Sequence, residues 1–492
     1  MTFYRWMEIV PALLVWGTLA LLAALSFLLP AWIAVFIIIF DIYWFLKTLY
    51  FTIHLQSGYR LLRRNMRKNW LEELEKIRSW KEVEHLIVLP MYKEAYEVVR
   101  ETFLQLAQSN YPKDKFHIVL GLEEKAGEHA QEVAKKIQEE FRDAFGSLLA
   151  TTHPYGLPDE KPGKSSNETW AAKEAIKGCI DAKNIPYERV LVSTFDVDTQ
   201  IYPDYFGILT YTFLTAPHPQ RSSYQPVPFF LNNIFEAPAL SRIIGFSGTF
   251  WHLMQQSMPE KLVTFSSHSM PLQPLIDVGF WQRDIVSEDS RIFFQCLLHF
   301  KGDWRTVPLF YPVSMDANVG ASFWQTLVNL YKQQRRWAWG SENIAYLLNK
   351  FRENKSIPLY KKWYWGFQQL EGFHSWATNS LIIFSLGWLP LLIGGQQFRI
   401  SILAYNLPSI TSQIMMFTSI GIVTCIVLSV VLLPRSKPLK WYQYLYHAVS
   451  WVLTPITLTI FGAFPAIEAQ TRLALSGEFR LDFWVTPKHR KK

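Results

Sequence analysis

Between residues 8 and 53 the chain is almost continuously apolar, and Pro30 divides the run into PALLVWGTLALLAALSFLL and AWIAVFIIIFDIYWFLKTLYFTI. A membrane-crossing helix needs roughly 20 apolar residues, so each half is long enough to cross. Two adjoining runs also differ from a signal peptide with its single short core. The pattern predicts an N-terminal transmembrane hairpin over residues 1–58. Arg60, Arg63, Arg64, Arg67 and Lys68 follow at once, and by the positive-inside rule they place what comes next in the cytoplasm. Asp41 is the one acid inside a span. It reads as a helix–helix contact or an interfacial turn, with a functional acid as the alternative. After the aromatic stretch KKWYWGFQQLEGFHSW, spans are expected near 377–392 and 410–433, and the loop PRSKPLK returns basic charge to the inside. The apolar stretch 440–475 is interrupted by Pro455 and Pro465 and followed by the basic KHRKK. One crossing would leave that tail outside and two would need more residues, so an interfacial or re-entrant segment is expected.

From about 70 to 340 the pattern changes to short apolar runs alternating with amphipathic ones. HLIVLP ends at Pro90; KEAYEVVRETFLQLAQS has helical spacing through Val98, Phe103 and Leu106; KFHIVLGLEE reads as the next strand. The charged helix EHAQEVAKKIQEEFRDAF follows, then RVLVSTFDVD, a strand with two carboxylates at its carboxyl end. Such alternation predicts α/β layers around a mainly parallel sheet, and ligands bind such sheets at the carboxyl ends of the strands. The remaining expected units are interfacial helices over 341–374, a transmembrane pair over 375–434 and a tail over 480–492.

Composition agrees. Across 492 residues, 18% are charged and 50% hydrophobic, against about 25% charged in ordinary soluble domains, which excludes a disordered chain. The net charge of +8 is too small and dispersed for the basic stripe of a nucleic-acid binder, so no nucleic-acid partner is expected; its use is at an anionic membrane face. Cys179, Cys296 and Cys425 include no C-x-x-C pair, arguing against a disulfide framework or zinc site. Neither a P-loop nor a G-x-G-x-x-G loop is present. The sequon at Asn167 falls in the cytoplasmic segment and is read as chance.

Four constellations carry chemistry. Asp196 and Asp198 stand one residue apart in an extended segment, where side-chain alternation turns both carboxylates to one face. That geometry suits Mg2+ or Mn2+ shared with a substrate diphosphate. In VSEDSRIFFQCLLHF, Ser287 reads as an N-cap and Glu288 and Asp289 as first-turn acids. Acids there favourably oppose the helix dipole, which is a purely structural role; the same dipole helps keep a carboxylate ionised, as a general base requires. In YKQQRRWAWG, Gln333, Arg336 and Trp337 share one helix face, able to meet a diphosphate and a sugar; a membrane-surface helix is the competing view. FWVTPK, with Phe483, Val485, Thr486 and Lys488, stands just before the end, where a Thr and a Lys beside aromatics can close over an anionic ligand; a tail at the membrane surface is the competing view. Trp251, Trp304 and Trp339 are read as packing rather than sugar platforms, and His252 and His268 as structural.

These motifs resemble, in order, those of processive family 2 glycosyltransferases, the membrane polysaccharide synthases that include cellulose and hyaluronan synthases. P-x-Y-x-E stands as Pro90, Tyr92 and Glu94; D-x-D as Asp196 and Asp198; E-D as Glu288 and Asp289; Q-x-x-R-W as Gln333, Arg336 and Trp337; F-x-V-T-x-K as Phe483, Val485, Thr486 and Lys488. The resemblance implies an α/β GT-A domain, a Rossmann-like mixed sheet on the cytoplasmic face of an inner or plasma membrane, inserted between transmembrane helices. It implies inverting transfer from a UDP-sugar to a β-linked polymer, with Asp196 and Asp198 on metal and donor. Asp289 would be the base, Gln333, Arg336 and Trp337 would line the acceptor and diphosphate site, and the terminal motif would gate the donor.

Three departures matter. GLEEK replaces an Asp pair for the nucleotide base, leaving Glu123 and Glu124 as candidates, and KPGKSSN leaves Lys161 or Lys164 as phosphate contacts. The chain also stops just after the terminal motif, so secretion of product through this subunit alone is not expected. A homo-oligomer or an export partner is among the partners considered. Alternatives are transfer of a single sugar to a lipid-linked acceptor and a non-enzymatic scaffold.

Overall fold

A computed structural model describes residues 2–434, 439–481 and 484. Its centre is a mixed eight-stranded sheet, order β3-β2-β1-β4-β7-β6-β8-β5, made of β1 (Glu84–Met91), β2 (Phe116–Glu123), β3 (Ser147–His153), β4 (Val190–Thr194), β5 (Gln200–Ile201), β6 (Ser222–Phe229), β7 (Ser269–Pro271) and β8 (Arg305–Ser314). The half containing the first three expected strands is wholly parallel, β2 and β4 flanking β1 and β3 flanking β2. Beyond β4 the pairing turns antiparallel through the short β7, β6 and β8 pair parallel again, and β5 closes the edge antiparallel, so the sheet is mixed with most of its paired length parallel.

Alternation along the strands builds two cores. In β1, Ile87 and Leu89 face a cluster with Phe103, Phe116 and Phe206, while Leu86 and Val88 face one with Ala171, Val192 and Phe293, as a period of two requires. Both faces of this part of the sheet are therefore covered, and the carboxyl ends of the strands are where such sheets take ligands.

The helix Lys164–Ala175 covers the second face. Gly163 precedes it at φ 149°, a backbone conformation open to glycine and strained for other residues. Asn167 donates to the Gly121 carbonyl at 2.8 Å, and a Cβ at Gly121 would lie 2.5 Å from Asn167 Oδ1. The strand and the helix start are thereby locked together. Asn167 and Thr169 of the sequon are buried, in keeping with its chance reading.

Among the described residues, four helices are long and apolar enough to cross a membrane: Phe3–Leu28, Pro30–Asn65, Ile402–Val431 and Trp441–Leu475. The expected span near 377–392 is the end of a longer helix, Leu359–Phe384, bent by 47° into Leu386–Ile393. The segments expected as interfacial helix and span thus meet in one helix that bends at its end. The segment expected to be interfacial or re-entrant is helical over Trp441–Leu475 and long enough for a crossing, with a π-turn at Thr459–Ala463 between its two prolines.

Candidate active site

A cavity of about 1360 Å³ opens at the carboxyl ends of the strands and continues between the apolar helices. Of the residues singled out from sequence, Pro90, Tyr92, Glu94, Glu123, Lys164, Asp196, Asp198, Glu288, Asp289, Gln333, Arg336 and Trp337 all line it. Glu124 does not; it turns away and accepts the Tyr155 N–H at 2.8 Å. Lys161 is held through its backbone N–H on the Arg283 carbonyl, 2.9 Å. Phe483, Val485, Thr486 and Lys488 lie outside the described residues; Trp484, which is described, places its ring 5.4 Å from Lys332 Nζ.

The D-x-D pair departs from the extended geometry read from sequence. Strand β4 ends at Thr194, and Thr199 N–H closes a turn onto the Asp196 carbonyl at 2.8 Å. The carboxylates are held separately rather than by strand alternation. Asp198 is buried and its Oδ2 accepts the Asp316 N–H at 3.1 Å. Asn232 Nδ2 bridges the Asp198 carbonyl and Asp316 Oδ1, 3.0 Å each. Asp196 pairs with Lys164 Nζ at 2.8 Å.

Lys164 organises the acids. Its Nζ also lies 3.4 Å from Glu288 and 3.5 Å from Glu168, and Glu168 is further hydrogen-bonded by the Thr194 hydroxyl. Burial alone would lower the Lys164 pKa, but Asp196, Glu168, Glu288 and Asp289 overcome it and raise it well above the usual value. Burial pushes Glu168, Glu288 and Asp289 upward, with Lys164 opposing in each case. At Glu288 and Asp289 desolvation is the largest influence, and it favours the protonated carboxyl. At the end of β2, burial and then the neighbouring Glu94 carboxylate push Glu123 up to about 7.

The turn carrying Glu288 and Asp289 opens the helix Glu288–His299. Ser287 makes no cap bond to it. Its hydroxyl instead donates to Glu342 Oε1 at 2.7 Å, and the Val286 and Ser287 N–H groups reach the same oxygen at 3.3 and 3.2 Å. Thr264 Oγ1 holds the Asp289 carbonyl at 2.6 Å, and Asp289 Oδ1 accepts the Ser290 N–H at 2.7 Å. Gln333, Arg336 and Trp337 come from the helix Phe323–Ala338; Asn318 Nδ2 donates to Gln333 Oε1 at 3.3 Å. Trp251 lines the cavity, whereas Trp304 and Trp339 are buried and donate to Ser223 and Glu342. His268 is buried, its pKa lowered to about 4, and bonded to the Phe265 carbonyl at 2.9 Å.

Among the described residues no group of three His, Cys, Asp or Glu side chains is placed to hold a metal ion. The hard oxygen set of Asp196 and Asp198 on the cavity wall fits a cation that completes its shell with substrate oxygens. Glu168, Asp316 and Glu342 escaped the sequence reading. Only the interval of four between Lys164 and Glu168 on a helix hinted at any of them.

No family model matches the chain, and no curated protein matches it. Among solved structures it is similar to a mannosyltransferase from Pyrobaculum calidifontis in complex with GDP-Man and Mn2+, at 12% identity and a TM-score of 0.43, over 85% of this chain and 99% of that one. It is also similar to S. aureus TarS 1-349 in complex with UDP-GlcNAc, at 12% identity and a TM-score of 0.39, over 79% of this chain and 91% of that one.

Proposed function

We propose that the chain is a membrane-bound inverting glycosyltransferase that moves a sugar from a UDP-sugar to the growing end of a β-linked polysaccharide. One observation carries the reading: four separated segments bring Asp196 and Asp198, Glu288 and Asp289, Lys164, and Gln333 with Arg336 and Trp337 to the wall of one cavity. The cavity is also larger than the roughly 300–1,000 Å³ usual for small-molecule sites, which favours an extended acceptor over a single small one.

In this reading Asp289 accepts the proton of an acceptor hydroxyl as its oxygen attacks the donor's anomeric carbon. The bond to the diphosphate breaks on the opposite face, and UDP leaves. Its raised pKa makes Asp289 a stronger base than an exposed aspartate. Asp196 and Asp198 would hold Mg2+ or Mn2+, whose charge supports the departing diphosphate. Arg336 adds positive charge to that oxyanion, and Gln333 and Trp337 orient the acceptor. Glu123 and Tyr92, on the same wall, would meet the nucleotide base.

Product analysis tests the reading. Purified protein in nanodiscs, given a panel of UDP-sugars with Mn2+ or Mg2+, is expected to yield a long glycosidase-sensitive polymer. A single sugar on lipid would select the non-processive alternative, and no product from any donor would reject both.

A further inference from the structure

Arg291, on the helix Glu288–His299 just after Asp289, is only 1% exposed, and the transfer chemistry leaves it unused. Its Nε donates to Asn343 Oδ1 and its Nη1 to Gln282 Oε1, 2.6 Å each, and its guanidinium lies 4.0 Å from the centre of the Tyr346 ring. All three partners are neutral. Among the described residues no carboxylate pairs with Arg291, and its buried Nη2 has no hydrogen-bond partner. Burying a charge is costly where no opposite charge answers it. Even well-paired buried charges are often replaced by apolar groups of similar volume without loss of stability. Packing therefore does not account for an arginine at this position.

The hydrogen bonds it directs do. A side-chain amide has one accepting and one donating end. The Arg291 N–H can be received only by Asn343 Oδ1, so Asn343 Nδ2 is turned to Ser290 Oγ, to which it donates at 2.9 Å. The Ser290 hydroxyl, accepting there, donates on to the Ser287 carbonyl at 3.3 Å, and the Ser290 N–H is the group that holds Asp289 Oδ1 at 2.7 Å. Asp289, Ser290 and Asn343 all line the cavity. Asn343 and Tyr346 belong to the helix Glu342–Glu353, so the buried cation also ties that helix to the turn carrying Asp289.

We infer that Arg291 is a positioning residue for the transfer: by fixing which way the Asn343 amide points, it holds Ser290 in place and keeps one Asp289 oxygen occupied, leaving the other to accept the proton of the acceptor hydroxyl. The role rests on the reading of Asp289 as the base.

The test compares the unaltered full chain with Arg291→Met, Arg291→Lys and Asn343→Asp in nanodiscs, reading UDP release over the panel of UDP-sugars, donor affinity and the unfolding midpoint. Arg291→Met is expected to lower kcat by about 10²-fold, the scale of a small misplacement of a catalytic group. Donor KM should change little, and the midpoint should stay where it is or rise. Arg291→Lys, which keeps a donor for Asn343 Oδ1, should recover part of the loss. Asn343→Asp pairs with the guanidinium but has no donor for Ser290; the same fall in kcat is expected, and this variant stands in if Arg291→Met does not fold. A residue with a merely structural role would instead lower the midpoint and leave kcat of the folded protein unchanged. Retained kcat in Arg291→Met or in Asn343→Asp overturns the inference, as does a loss confined to donor KM. UDP release by the unaltered protein separates the two readings. Turnover that Arg291→Met leaves intact removes Arg291 alone, whereas no release from any donor rejects the transferase and the role of Arg291 with it.

Discussion

Ser287 donates its hydroxyl to Glu342 Oε1 at 2.7 Å, tying the turn that carries Glu288 and Asp289 to the segment just after Gln333, Arg336 and Trp337. Trp339 Nε1 holds the second oxygen of Glu342 at 3.1 Å, so one buried carboxylate joins two motifs distant in sequence. Glu342→Ala is expected to loosen the position of Asp289. Turnover should fall by about 10²-fold, the cost of a small misplacement of a catalytic group, while donor KM changes little. Glu342→Gln, which retains an acceptor, should recover much of the loss. A rise in KM with unchanged kcat in Glu342→Ala would contradict this role.

Lys164 compensates several buried acids at once. Removing one partner of a buried ion pair leaves uncompensated charge, at about 3–5 kcal/mol. Lys164→Ala should therefore lower the thermal unfolding midpoint in detergent, and Lys164→Arg should lower it less. Equal stability of Lys164→Ala and the unaltered protein would show that the acids do not depend on this ammonium.

Glu123 supplies a pH dependence. Its folded pKa of about 7 lies above the ordinary value of 4.5, so the folded state binds the proton more tightly than the unfolded state. The associated stability is fully present below about pH 4.5 and is lost as pH rises through about 7. Without donor, Glu123→Gln should gain stability relative to the unaltered chain between pH 5 and about 8. A difference in unfolding midpoint that stays constant over that range would contradict the assignment.

The proposed cation gives a binding prediction independent of turnover. Mn2+ should bind with UDP, monitored by electron paramagnetic resonance, and chelation should abolish the signal from bound ion. Asp198→Asn should weaken Mn2+ affinity by at least about tenfold, because one of two carboxylate ligands loses its charge. Unaltered Mn2+ binding in that variant would remove Asp198 from the site.

Much of the architecture was legible because hydrophobic periodicity reports it directly. Leu86 to Leu89 announce a strand covered on both faces, and the two runs around Pro30 announce helices long and apolar enough to cross a membrane. The acids were legible as motifs, but not their geometry. D-x-D read as an extended pair, whereas the chain turns after Thr194 and holds Asp196 by Lys164 and Asp198 by the backbone of Asp316. Ser287 read as a helix cap because local spacing favours that role, but a carboxylate 55 residues away captures its hydroxyl. Asp41 looked like a contact between helices, and only the three-dimensional path of the cavity brings it to the wall shared with Asp289. Long-range pairings of this kind leave no periodic trace in a single sequence.

The central claim is that Asp289 is the base of a sugar transfer from a bound nucleotide donor. The most direct test measures UDP release and UDP-sugar affinity side by side for the unaltered protein and Asp289→Asn. The expected result is donor binding of similar strength in both, with turnover in the variant reduced by at least about 10²–10⁴-fold. Turnover retained in Asp289→Asn would contradict the assignment, and failure of both proteins to bind or turn over any nucleotide sugar would contradict the proposed function.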